Sequence, residues 1–99
     1  MPEFRNDDVA YFQWLEQHPA GLVVNVRRAP DPQYVVLHRA SCGTVCSPKI
    51  RDGGCTARGY RKIGCLSWDD AVAAARREGL ADGSFSELCG RYRPDPMAN

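Results

Sequence analysis

The chain has 99 residues, a net charge of +1 and an ordinary apolar content, which bounds it to one small domain, residues 1–99, with no room for a second core. No apolar run approaches the ~20 residues needed to cross a bilayer, and the start, "MPEFRNDDVAYFQW", is polar and acidic without a signal-peptide core, so the expected location is the cytoplasm with reduced thiols. The small net charge hides segregation: residues 1–26 carry −3, residues 27–62 carry +6 and residues 63–99 carry −2.

Taken in chain order, "NDDVAYFQWLEQHP" predicts an amphipathic helix. Asn6, Asp7 or Asp8 can cap it, and carboxylates in the first turn suit the helix dipole. Val9, Tyr11, Phe12, Trp14 and Leu15 supply an apolar stripe at three- and four-residue spacing. Pro19 disfavours helical geometry at His18 and ends the helix there. His18 itself is expected to serve the helix end.

"LVVNVRR" (22–28) and "QYVVLHR" (33–39) are β-branched runs joined by "APDP", a rigid turn, and predict a β-hairpin. Leu22, Val24 and Val26 share one apolar face by the two-residue period. Residues 41–59, "SCGTVCSPKIRDGGCTARG", have no sustained period and predict a long cysteine-rich loop. "YRKIGCL" (60–66) predicts a third strand with Ile63 and Cys65 on one face. Ser67 caps "WDDAVAAARREG", a helix closed by Gly79. "SFSELCG" carries a capping-box spacing, Ser84 to Glu87, and predicts a short helical turn ended by Gly90. A flexible tail, 93–99, follows. The order predicts an α+β fold: N-terminal helix, three-stranded antiparallel sheet with the long loop, C-terminal helix and short helical turn.

Two sets of residues point to chemistry. The basic middle third is the electrostatic footprint of a polyanion site. Arg27, Arg39, Arg58, Arg61 and Lys62 are its candidate phosphate contacts, because arginine forks match phosphate oxygens. Tyr60 and, nearby in sequence, Tyr34 can stack on bases. The bland alternative is arginine stems lying over the sheet edge or pairing with the acidic flanks.

The second set is the thiols. Five cysteines, Cys42, Cys46, Cys55, Cys65 and Cys89, contain no C-x-x-C pair, which removes the strongest spacing for zinc or for a redox centre. His38 and Cys42 are four residues apart across a strand end, and imidazole and thiolate are preferred ligands of tetrahedral zinc. Cys65, alternating with Ile63, is as readily a buried small hydrophobe. A thiol enzyme built on Cys42 and His38 is the alternative catalytic reading; no oxyanion turn or enzyme signature accompanies it, and no catalytic residue is assigned.

"HRASC" (38–42), then the helix "DDAVAAA", then "CGRYRPD" (89–95), resembles the zinc-binding domain of Ada-type DNA-repair proteins and its small relatives. The resemblance covers roughly residues 34–95. It implies zinc as cofactor, with His38, Cys42 and Cys89 as three ligands. Tyr92 stands where the fourth would be, so Cys65 or Cys46 is recruited instead, or the site is a metal-free remnant. The methyl-accepting cysteine of the repair proteins corresponds to His38, which argues against methyl transfer. The longer pattern "YFQWLEQHPAGLVVNVRRAP", "YVVLHRASC" and "YRKIGC" also resembles modules of bacterial restriction and HNH-nuclease proteins. That implies DNA as ligand and a nuclease or other protein as partner, although the HNH motif itself does not occur here. The expectation is a non-enzymatic, DNA-binding module with a structural or degenerate zinc site. A protein-interaction domain with structural cysteines is the alternative.

Overall fold

The computed structural model describes residues 1–40, 56, 59–79 and 85–88, and they form an α+β structure. In chain order the elements are β1 (Glu3–Phe4), α1 (Asp8–Gln17), β2 (Leu22–Arg27), β3 (Val35–Arg39), β4 (Tyr60–Cys65), α2 (Trp68–Arg77) and β5 (Glu87–Leu88). The sheet has five strands in the order β1-β4-β2-β3-β5. Neighbours among the first four are antiparallel and β5 runs parallel to β3.

The predicted hairpin is present, with Val26 opposite Val35 and Leu22 opposite Arg39. Its turn uses the Asx chemistry of Asp31, whose Oδ1 accepts from the Gln33 amide at 2.9 Å. The helix ends also follow the sequence. Asp7 caps α1 by accepting from the Ala10 amide at 3.0 Å, and the His18 amide donates to the Trp14 carbonyl. Ser67 caps α2 through the Asp70 amide, and Gly79 adopts the left-handed φ of +107° that closes it.

Three expectations are corrected. The sheet has five strands where three were expected. Phe4 turns inward from a two-residue edge strand whose first residues read only as polar, and that strand pairs with Lys62 and Ile63. Glu87 and Leu88 are extended beside Val36 and Leu37, so these two residues of the predicted helical turn form a strand paired to β3, while Ser84 and Gly90 lie outside the described residues. Val9 is 69% exposed and takes no part in the core. The rest of the stripe does face the sheet: Tyr11 and Trp14 are buried, and Phe12 and Leu15 pack half-buried against the same cluster. The long loop's residues other than Thr56 and Gly59, the Cys89 segment and the tail lie outside the described residues.

Both sheet faces are covered, which places the interior in two layers. On one, Leu22, Val24, Val26, Val35, Leu37, Ile63 and Cys65 pack against Ala71, Ala74 and Ala75 of α2. On the other, Phe4, Tyr11, Trp14, Val23 and Ala40 pack together beneath α1. Small residues let α2 approach the sheet closely, while α1 instead lays its aromatic rings on it. Trp14 lies flat over the Gly64 backbone: a Cβ there would stand 2.6 Å from the indole.

Candidate nucleic-acid interface

The α1 side of the sheet continues past the aromatic layer into a polar stretch. Strand alternation puts Val23, Asn25 and Arg27 of β2 on this face. Register sets Asn25 beside Lys62 and Arg27 beside Tyr60. Tyr34, just before β3, faces them from the other side of β2.

These side chains form one connected group. The Tyr34 and Tyr60 rings converge over β2 with centroids 5.6 Å apart. The Arg27 guanidinium lies 4.5 Å from the Tyr34 centroid and 5.5 Å from that of Tyr60, and its Nη1 donates to the Tyr60 hydroxyl at 3.4 Å. Cation–π attraction of this kind holds an arginine in place without neutralising it. Beneath them Lys62 Nζ donates to Asn25 Oδ1 at 2.7 Å, and Asn25 Nδ2 donates to the Tyr34 hydroxyl at 3.2 Å. The two tyrosines are half-buried and the Arg27 side chain is 48% exposed, so the group opens to solvent at its arginine end.

Deeper on the same face the chain stores unusual electrostatics. Lys62 is buried, and burial lowers its pKa to about 8, against which the charge of Asp8 acts. His38 is lowered to about 4, first by burial and then by the Lys62 charge, so its imidazole is neutral. Its Nδ1 is buried with no hydrogen-bond partner among the described residues, as is the Tyr11 hydroxyl. Burial, and secondarily Asp8, raises the Tyr11 pKa and keeps that hydroxyl protonated. Asp8 is fixed by Thr56, whose amide and hydroxyl both donate to its Oδ1, at 2.9 and 2.6 Å.

The structure brings together Arg27, Tyr34, Tyr60 and Lys62 of the sequence-derived candidates, and adds Asn25. Asn25 carried a signal that periodicity alone did not exploit, being the one polar residue within "LVVNV". Arg39 is exposed but sits at the Leu22 end of the sheet, five strand positions from Arg27 or about 16 Å. Arg61 is a correction. It points to the α2 face with a side chain only 5% exposed, and pairs with Glu78 at 2.5 Å and Glu3 at 3.0 Å. Its Nε donates to the Arg27 carbonyl at 2.8 Å. Burial opposes its charge, but the hydrogen bonds to Glu78 and Glu3 outweigh that and hold the guanidinium protonated. It is an interior tie with no free edge for phosphate. Arg58 lies outside the described residues.

The candidate zinc ligands separate in the same way. His38 offers a neutral imidazole with a nitrogen that no described residue engages, which fits a metal ligand. Cys65 does not fit, because it packs in the opposite layer against α2 and burial pushes its thiol up to about 12. The sheet itself stands between Cys65 and His38. Cys42, Cys46, Cys89 and Tyr92 lie outside the described residues, among which no three His, Cys, Asp or Glu side chains converge. Lys62 beside His38 disfavours a dication there, a repulsion that thiolate ligands would offset. No helix among the described residues is long and apolar enough to cross a membrane. No family model matches this chain, and no curated protein or solved structure shows significant similarity to it.

Proposed function

We propose that this is a cytoplasmic, non-enzymatic module that binds nucleic acid, DNA in the first instance, on the α1 side of its sheet. The observation that supports this most directly is Arg27 held over Tyr34 and Tyr60 at a solvent-facing edge. Such a group presents a guanidinium for phosphate and aromatic surface for bases on one rigid platform. Arg28, next in sequence and exposed, extends the positive edge. His38, with Cys42 and Cys89, would hold a structural zinc, whose role is to tie the chain after β3 to the sheet rather than to perform chemistry.

Fluorescence-anisotropy titrations with single- and double-stranded DNA and RNA test the reading. The wild-type protein binds at least one of the four at low salt and loses affinity as salt rises, by counterion release. Arg27→Ala weakens that binding roughly fivefold or more, while Arg39→Ala, at the far end of the sheet, changes it little. Absence of binding to all four overturns the proposal. Weak salt dependence with no effect of Arg27→Ala points to a protein partner.

A further inference from the structure

We infer that the Arg27–Tyr34–Tyr60 platform takes unpaired nucleotides in preference to duplex, gripping a short segment by its bases with few phosphate contacts. The inference rests on the nucleic-acid reading above and specifies its substrate.

Geometry carries it. The aromatic pair sits on the broad face of a sheet, and its rings are tilted by 51° with centroids 5.6 Å apart. That gap is too narrow to admit a base between the rings. A base can stack only on the outer surface of the Tyr–Arg group and extend it, as successive bases do on aromatic platforms. In a duplex the base faces are already stacked on one another, so the rings would meet only groove edges and sugars. No described helix or ribbon projects from this face to enter a groove: α1 is packed flat on Phe4 and Val23.

Charge points the same way. The basic middle third promised many phosphate contacts, yet Arg61 is consumed by Glu78 and Glu3, Arg39 lies at the other end of the sheet and Lys62 is enclosed. Among the described residues, Arg27 remains as the exposed cation held against the tyrosines, with Arg28 exposed next to it in sequence; Lys49, Arg51 and Arg58 lie outside the described residues. Two such contacts, the number the described residues offer, are a small share of what duplex binding draws its affinity from. Asp31 also stands at this edge, 3.9 Å from Arg27 Nε. Its carboxylate competes with phosphate for the guanidinium and repels a strand, so it limits affinity. Its hydrogen bond to Gln33 survives replacement by asparagine.

The test compares one 15-nucleotide DNA as a single strand and as a duplex with the full chain, using anisotropy across a salt series. The single strand is expected to bind at least tenfold tighter. Its log affinity should fall against log salt with a slope of about −1.4, from two contacts at about 0.7 each. Tyr60→Leu and Tyr34→Leu each weaken single-strand binding roughly fivefold or more, the loss of one stacked base. Tyr34→Phe keeps the ring and most of the affinity, and Asp31→Asn tightens binding severalfold. Circular dichroism confirms that each variant is folded. Duplex binding as tight as single-strand binding, or undiminished binding in both leucine variants, overturns the inference while leaving the nucleic-acid reading standing. No binding to either oligonucleotide at low salt overturns both.

Discussion

Arg61 and Lys62 are neighbours in sequence and both cationic, yet the sheet sends them to opposite sides. Arg61 reaches Glu78 on the α2 face at 2.5 Å, while Lys62 reaches Asn25 on the α1 face at 2.7 Å. The first is a charge compensated by carboxylates. The second has a neutral amide as its hydrogen-bond partner and bears the cost as a lowered pKa. The two residues therefore answer differently to mutation and to pH.

Arg61→Ala leaves the Glu78 carboxylate buried without its cation. Breaking a buried pair from one side typically costs about 3–5 kcal/mol, and urea denaturation should show a loss of that order. Arg61→Met combined with Glu78→Leu removes both charges and should be clearly less destabilising than either single change. Equal losses for the single and double variants would show that the tie is peripheral to stability.

Lys62 should make stability depend on alkaline pH. Its folded pKa is about 8 against an ordinary 10.5, so the folded state pays for the charged amine at every pH below 8. Between about 8 and 10.5 the unfolded chain binds more protons than the folded one, and stability contributed through this residue rises with pH. Tyr11 and Cys65, whose pKa values are raised by burial, pull the other way at high pH. The difference in unfolding free energy between the wild-type protein and Lys62→Met isolates the lysine. That difference should shift in the wild type's favour from pH 7.5 to 9, and a flat difference would place Lys62 in solvent.

Gly64 is required by Trp14. A Cβ at this position would meet the indole at 2.6 and 2.7 Å, and the ring is enclosed by Phe4 and His18. Gly64→Ala should destabilise by about 1–3 kcal/mol, the usual range for overpacking. A change in tryptophan fluorescence should accompany the loss. A neutral result would show that the indole can slide away.

For the metal, native mass spectrometry is expected to find one zinc per chain that is lost in His38→Ala and retained in Cys65→Ala. Cys65 should also alkylate slowly in the folded protein and fast in urea, since its thiol is buried and protonated at neutral pH. Loss of metal in Cys65→Ala would contradict the placement of the two residues on opposite sheet faces.

Local patterning was enough to determine both helices, the Ser67 cap, a choice of three α1 caps of which Asp7 is the one used, the β2–β3 hairpin and the shared inward face of Ile63 and Cys65. These depend on interactions within a few residues, which periodicity and capping chemistry express directly. The two edge strands were not legible, because a two-residue strand such as Glu3–Phe4 has no period of its own and exists only through its partner. The sequence also marked the middle third as basic, but it could not sort those charges. Which arginine is an interior tie and which lies beside two tyrosines depends on strand parity and on what packs above each face. Burying Arg61 requires Glu78 from a helix 17 positions on and Glu3 from the other end of the chain, and only tertiary packing brings such distant partners close enough to outweigh desolvation.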